Sequence, residues 1–214
     1  MSAPPLSAET RTLLSRIGTA ALTSQLLARG LRNTFMQNVH RLTRGGSAMV
    51  GEAFTLRYIP SREDIDVSSA FDDREHLQRK AVETIPPGHV LVMDCQQDKR
   101  AAAAGVVTVG GLRDTPEIEQ LDIPVYCAGR AAPTSLVRHH AVEINVPIGC
   151  GEVAVDPGDI IVGDGEGVAV IPRHLADDVA RDRYEQTLLE DFVAEKGKNR
   201  PVDLRTLSTQ CRNA

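Results

Sequence analysis

Tryptophan is absent from this 214-residue chain, and aromatic residues are scarce at three Tyr and four Phe. The core must therefore be built from Val, Ile, Leu and Ala, and the exposed rings that stack single-stranded nucleic acid are not available. Positive charge is also short. The net charge is −5, so no overall field attracts a polyanion and nucleic acid is disfavoured as the main ligand. Lysine occurs only at Lys80, Lys99, Lys196 and Lys198. None of the four lies in an apolar run that would lower its pKa, which weakens any case for a Schiff-base amine. The four cysteines, Cys95, Cys127, Cys150 and Cys211, contain no close pair of the kind zinc sites use. Free thiols in a reducing compartment follow. No apolar run reaches membrane-spanning length, and Met1 to Thr10 lacks the basic and apolar regions of a secretory signal. The expected location is the cytoplasm, with no membrane partner.

What is present fits a globular protein: 42% hydrophobic and 25% charged residues, in a length suited to one domain over 1–214, with a core of about 10–195 and a polar tail over 196–214. Ser7-Ala-Glu-Thr10 starts a helix over about 8–18, with Leu13, Leu14, Ile17, Ala21 and Leu22 at helical spacing. A second helix over 19–30 ends at Gly30. Residues 48–58 alternate as a strand, 60–73 read as a loop, and Leu77, Ala81, Val82 and Ile85 mark a helix over 74–85 stopped by Pro86-Pro87. A weak internal repeat follows. Pro87-Gly-His-Val-Leu-Val-Met-Asp94 matches Pro157-Gly-Asp-Ile-Ile-Val-Gly-Asp164, each a turn, a buried strand and a carboxylate at the strand's end. Strands are also expected over 105–109, 124–128 and 168–171, the last entered through a hairpin at Asp164-Gly-Glu-Gly167. A final helix over 174–195 carries Leu175, Val179, Tyr184, Leu188 and Phe192 on one side. Short strands within a helical frame indicate an α/β fold: a mixed central sheet flanked by helices.

Gly110-Gly-Leu-Arg-Asp114 is the most informative stretch, because it follows a β run and puts Arg113 and Asp114 at a strand end, where sites gather. A carboxylate there can hold a hard divalent cation, and a guanidinium beside it can grip a substrate carboxylate. The plainer alternative is a surface ion pair at a turn. Read as helical neighbours, His139 and His140 point about 100° apart and cannot easily share a metal. Gly163 to Gly167 leads into a strand and not a helix, so it is a hairpin and not a phosphate loop. Ser68 and Ser69 beside Asp66 and Asp72 show no triad spacing. Glu185, Glu190, Asp191 and Glu195 read as a solvated helix face.

Residues 87–94, 105–114, Ile123-Pro-Val-Tyr126, Val146-Pro-Ile-Gly-Cys-Gly151 and 156–172, taken in order, resemble the RraA-like family. That family includes the regulator of ribonuclease E activity and the metal-dependent (class II) 4-hydroxy-4-methyl-2-oxoglutarate aldolases. The resemblance implies a swivelling-domain fold assembled as a homotrimer or a dimer of trimers. For the aldolase branch it implies Mg²⁺ or Mn²⁺ at Asp114, Arg113 on the 2-oxo acid substrate, and an acidic residue from a neighbouring subunit's C-terminal helix ordering metal-bound water, here Glu185. The implied reaction cleaves a 4-hydroxy-2-oxo dicarboxylic acid to pyruvate, with oxaloacetate decarboxylation as a side activity. Family members also carry a loop and helix between the strand ending at Asp94 and the Gly-Gly-x-Arg-Asp strand. Here Asp98-Lys-Arg-Ala-Ala-Ala-Ala-Gly105 runs straight into Val106, about fifteen residues shorter than the family pattern and more than an ordinary loop difference. Three explanations stay open: altered activity, a site rebuilt around Ala101–Gly105 with Asp98 and Arg100 nearby, or a stretch missing from this sequence. The other branch implies a non-catalytic regulator that binds and inhibits an endoribonuclease.

Overall fold

The computed structural model describes residues 4–45, 47–64, 66, 73–94, 103–133 and 138–197, with side chains as far as 186. Helix α1 (Ala8–Leu14) starts where Ser7 Oγ accepts the Thr10 N–H at 3.0 Å, and it stops at Leu14, four residues short of the expected end. Helix α2 (Thr19–Ala28) follows. Its cap at Gly18 has no side chain to offer, and Asp164 supplies the acceptor from a distant hairpin, taking the Thr19 N–H at 2.7 Å and its hydroxyl at 2.9 Å.

The sheet is organised by one long strand, β2 (Met49–Pro60), preceded by the short β1 (His40–Arg41). After α3 (Leu77–Thr84) come β3 (Val90–Met93) and β4 (Gly105–Thr108). Next are β5 (Gly111–Leu112), α4 (Thr115–Ile118), β6 (Val125–Cys127) and β7 (Gly129–Arg130). Then β8 (His139–Ile144), β9 (Ile148–Cys150), β10 (Val153–Val155), β11 (Ile160–Gly163) and β12 (Val168–Ile171) lead to α5 (Ala176–Gly197). The principal sheet runs β1-β6-β4-β3-β2-β11-β12, with β8 also on β2. Strands β2, β3, β4 and β6 are mutually parallel, and β1, β8, β11 and β12 join antiparallel. Every residue of β3, β4, β11 and β12 is buried, as expected of strands covered on both faces.

Side chains sort by the two-residue period of a strand. Val90, Val92, Val107, Ile161, Val168 and Val170 point into one cluster with Met49 and Tyr126, the interior of a nearly closed mixed sheet. Their neighbours Leu91, Met93 and Val106 turn outward beneath α3 and α4, and Ile160, Val162 and Ile171 turn outward beneath α1, α2 and α5. The fold is therefore α/β. The Pro-Gly turns of the repeat place Gly88 at φ 83° and Gly158 at φ 87°, a conformation that penalises any side chain.

Several expectations need correction. His139 and His140 lie on β8, not a helix, so they alternate to opposite faces of a strand. Tyr184 is exposed while Val179 and Ala180 are buried, because a five-residue step from Val179 turns well off its face. Residues 173–175 form a 3-10 turn ahead of α5, and β2 extends two residues beyond the expected strand. Cys127 and Cys150 are free and buried. Cys95, Cys211, Ser68, Ser69, Asp72, Asp98, Arg100 and most of the tail lie outside the described residues. No helix among the described residues is long and apolar enough to cross a membrane.

Candidate functional site

The parallel strands β3, β4 and β6 run in the same direction as β2, so the segments that follow them leave from the same end of the sheet. Beyond Thr108 the chain kinks at Val109-Gly110, where Thr108 Oγ1 accepts the Gly110 N–H at 3.0 Å. It then resumes as β5 alongside β7, which in turn continues β6. The Ala128 N–H reaches the Gly110 carbonyl at 3.2 Å, and the Ala131 N–H reaches that of Leu112 at 2.8 Å. A side chain at Gly111 would come within 2.8 Å of the Ala131 Cβ. Gly110-Gly111 thus lets two strand extensions approach closely and carry Arg113 and Asp114 past the end of the sheet.

Asp114 occupies the left-handed region at φ 55°, ψ 34°, and it stands at the N-cap of α4. Aspartate at such a position ordinarily caps the helix. Here its carboxylate makes no capping hydrogen bond, and α4 starts with the help of Pro116 and the Asp114 carbonyl. The Arg113 Nε lies 3.4 Å from Asp114 Oδ2, with the two side chains 45% and 40% exposed. That spacing and exposure make a weak ion pair. Behind the turn, Glu119 is held between Arg44 and Arg130, accepting from Arg44 Nη2 at 2.9 Å and from Arg130 Nη2.

A second carboxylate stands at the same sheet end. Asp94 follows β3, and its Oδ1 accepts the Tyr58 N–H at 2.7 Å. Burial raises its pKa, against the backbone N–H groups of Tyr58 and of Asp94 itself and the charge of Arg57. The Cys150 thiol, bonded to the Met93 carbonyl at 3.4 Å, is pushed up to about 12 by burial and by the nearby Asp94 charge. It is an inert neighbour. Asp94 was visible in the sequence only as the end of a repeat, and no signal separated it from Asp164.

Glu185 is exposed on α5, which packs with α1 and α2 over β11 and β12. Within one chain it is not brought to Asp114, which extends from the β4 and β6 side of the sheet. No group of three or more His, Cys, Asp or Glu among the described residues has metal-holding geometry. A zinc-type ligand set is therefore not present among them. One half-exposed carboxylate does suit Mg²⁺, which keeps several waters and takes one or two carboxylates.

The chain matches the RraA-like family (Aldolase/RraA) over residues 19–170. It belongs to that family. A Halalkalibacterium halodurans protein, provisionally named a 4-hydroxy-4-methyl-2-oxoglutarate aldolase, is 35% identical over 130 residues, 49% of this chain and 61% of its own length. Those 130 positions take in about 105 residues of this chain, so the relative carries about 25 residues opposite gaps here. A Thermus thermophilus 4-hydroxy-4-methyl-2-oxoglutarate aldolase is 29% identical over 116 residues, 48% of this chain and 70% of its own. In structure, Streptomyces coelicolor RraAS2, described as an unusual member of the RNase ES inhibitor RraA protein family, superposes with a TM-score of 0.76. It is 27% identical, and the match covers 90% of this chain and all of that one. The family thus contains proteins named as aldolases and proteins named as ribonuclease inhibitors.

Proposed function

We propose that this chain is a divalent-metal-dependent carbon–carbon lyase that cleaves a 4-hydroxy-2-oxo dicarboxylic acid of the 4-hydroxy-4-methyl-2-oxoglutarate type to pyruvate and a second oxo acid. Oxaloacetate decarboxylation is the expected side reaction, because it passes through the same enolate. The observation that carries this reading is Asp114: a non-glycine residue in a left-handed conformation at a helix cap, whose carboxylate does no capping and stands beside Arg113. A non-glycine residue held in the left-handed region just past a strand end is a candidate functional position.

Asp114 would hold Mg²⁺ or Mn²⁺, which would supply positive charge where negative charge develops in the reaction. Arg113 offers a planar fork that orients the 2-oxo acid's carboxylate and adds charge where the enolate develops. With no lysine in an apolar run of the sequence, a metal route is better supported than a Schiff base. A homotrimer or hexamer in which Glu185 of the partner subunit approaches Asp114 would complete the acidic set, since one chain does not bring the two together.

The test is pyruvate release, coupled to lactate dehydrogenase, from 4-hydroxy-4-methyl-2-oxoglutarate and from oxaloacetate, with Mg²⁺ or with EDTA. Release that EDTA abolishes and Asp114→Ala removes is the expected result. Full turnover by Asp114→Ala would refute the assignment. The shortened segment after Asp94 favours a second reading, a regulator that binds and inhibits an endoribonuclease. Under that reading, folded protein releases no pyruvate, and it captures a ribonuclease with an affinity unchanged by Arg113→Ala.

A further inference from the structure

We propose that Asp94 is the proton-transfer residue of this site, taking the proton of the substrate's C4 hydroxyl and returning it to C3 of the enolate. The inference rests on the lyase reading and names the base which that reading leaves unassigned. In the step, the C4 hydroxyl gives its proton to the Asp94 carboxylate, and the C3–C4 bond breaks as C4 becomes the carbonyl carbon of the departing oxo acid. The bond's electron pair passes into the pyruvate enolate. Asp94 then delivers its proton to C3, which yields pyruvate and restores the carboxylate.

Position is the first argument. The register pairs Met93 with Leu56 on one side and Thr108 on the other, so Asp94 stands level with Arg57 and Val109, where the chain leaves for Gly110–Asp114. The second argument is the contrast with its repeat counterpart. Asp164 receives the N–H groups of Thr19, Glu166 and Gly167 and the Thr19 hydroxyl, and these donors hold its pKa low despite burial. Among the described residues, Asp94 receives only backbone N–H groups, Tyr58's and its own, and for it burial prevails. The first carboxylate is consumed in structure; the second is held nearer the protonation range in which a general base works. The third argument is elimination among the groups nearby. Among the described residues, the Cys150 thiol is too weak an acid, the guanidinium groups of Arg113 and Arg57 have no lone pair to accept a proton, and Glu119 is taken up by two arginines. The charged and titratable groups around Asp94, among the described residues, are Arg57 on β2, itself paired with Glu143 on β8 at 3.2 Å, and Cys150 on β9.

Asp94→Asn keeps an acceptor for the Tyr58 N–H and removes the base. The expected results are a kcat for pyruvate release about 100-fold lower with KM nearly unchanged, and a matching loss of deuterium uptake into the pyruvate methyl group in D₂O. Metal-free protein gives an independent readout. Infrared titration of the wild type shows a carboxyl protonating above the ordinary aspartate range, and that band is missing from Asp94→Asn. Because folding favours the neutral acid, ionising Asp94 costs stability as pH rises through its raised pKa, so the melting temperature of the Asn variant at pH 7.5 is no lower than wild type. An active wild type with both rates within threefold in the variant would overturn the Asp94 assignment alone. A wild type that neither releases pyruvate nor exchanges its methyl protons would overturn the lyase reading and this inference together.

Discussion

Glu52→Gln tests how the N-terminal helix is fastened to the sheet. Glu52 is 7% exposed on β2, where Oε1 accepts the Leu6 N–H at 2.7 Å and Oε2 accepts Arg11 Nη2 at 2.7 Å. Arg11 also donates to the carbonyls of Val50 and Gly88, so one carboxylate gathers α1, the segment before it, β2 and the Pro-Gly turn of the repeat. Burial pushes the Glu52 pKa up, but the N–H groups of Leu6 and of Glu52 itself, together with Arg11, outweigh it and hold the value below the ordinary 4.5. Glutamine has one acceptor oxygen for two donors. Either the Leu6 N–H or the guanidinium then faces an NH₂ group, and a charge-assisted bond becomes a donor conflict. Such a loss costs about 1.5–3 kcal/mol, and because Arg11 is one-third exposed, water recovers part of it, which leaves about 2 kcal/mol. For a chain of this length that lowers the melting temperature by about 4–8 °C. A carboxylate with a depressed folded pKa stabilises fully above its unfolded value and loses that contribution as pH falls through the folded value. Melting curves followed by circular dichroism should therefore show a constant gap between wild type and Glu52→Gln from pH 8 to about 5.5, closing in more acid buffer. A gap below 1 °C at pH 7, or one that persists undiminished in acid, would refute the reasoning.

Substitutions at Gly105 and at Asp114 bear on the interior of the sheet and on the site. At Gly105, buried in β4, an added Cβ would collide with Met49 Sδ and lie 2.8 Å from its Cγ, so Gly105→Ala should cost about 1–3 kcal/mol in chemical denaturation. Pairing it with Met49→Val should recover part of that loss, and purely additive effects would show that Met49 is not the obstacle. At Asp114, with φ 55°, Gly is free of the left-handed penalty and Ala is not, so Asp114→Gly should be more stable than Asp114→Ala by about 1 kcal/mol. Both should lose EDTA-sensitive pyruvate release, and retention of it by either would remove Asp114 from the metal site.

The strands most legible in the sequence are those whose burial does not depend on a partner's identity. Val90–Met93, Ile160–Gly163 and Val168–Ile171 are short apolar runs between turn residues, and each forms a strand buried along its whole length. The elements that escaped notice are two- and three-residue strands such as β5, β7, β9 and β10, too short to show a period. His139-His140 is equally illegible as a strand: a polar, half-exposed pair carries no apolar rhythm, and pairing with the far end of β2 makes it one.

The site was legible as a location and not as a mechanism. Gly110-Gly111 after a β run announces a close backbone approach beyond a strand end, and the structure supplies the reason in the Ala131 contact. Nothing in the letters Arg-Asp says that the aspartate forgoes its cap, because that follows from a backbone angle that only the β5–β7 pairing and α4 impose. The two carboxylates of the repeat make the same point more sharply. Asp94 and Asp164 follow the same turn and the same kind of strand, yet one is surrounded by donors from α2 and its own hairpin and the other meets mainly a buried sheet end. The same local pattern thus yields one carboxylate saturated with donors and one that is not, and the difference lies in which elements arrive from elsewhere in the chain.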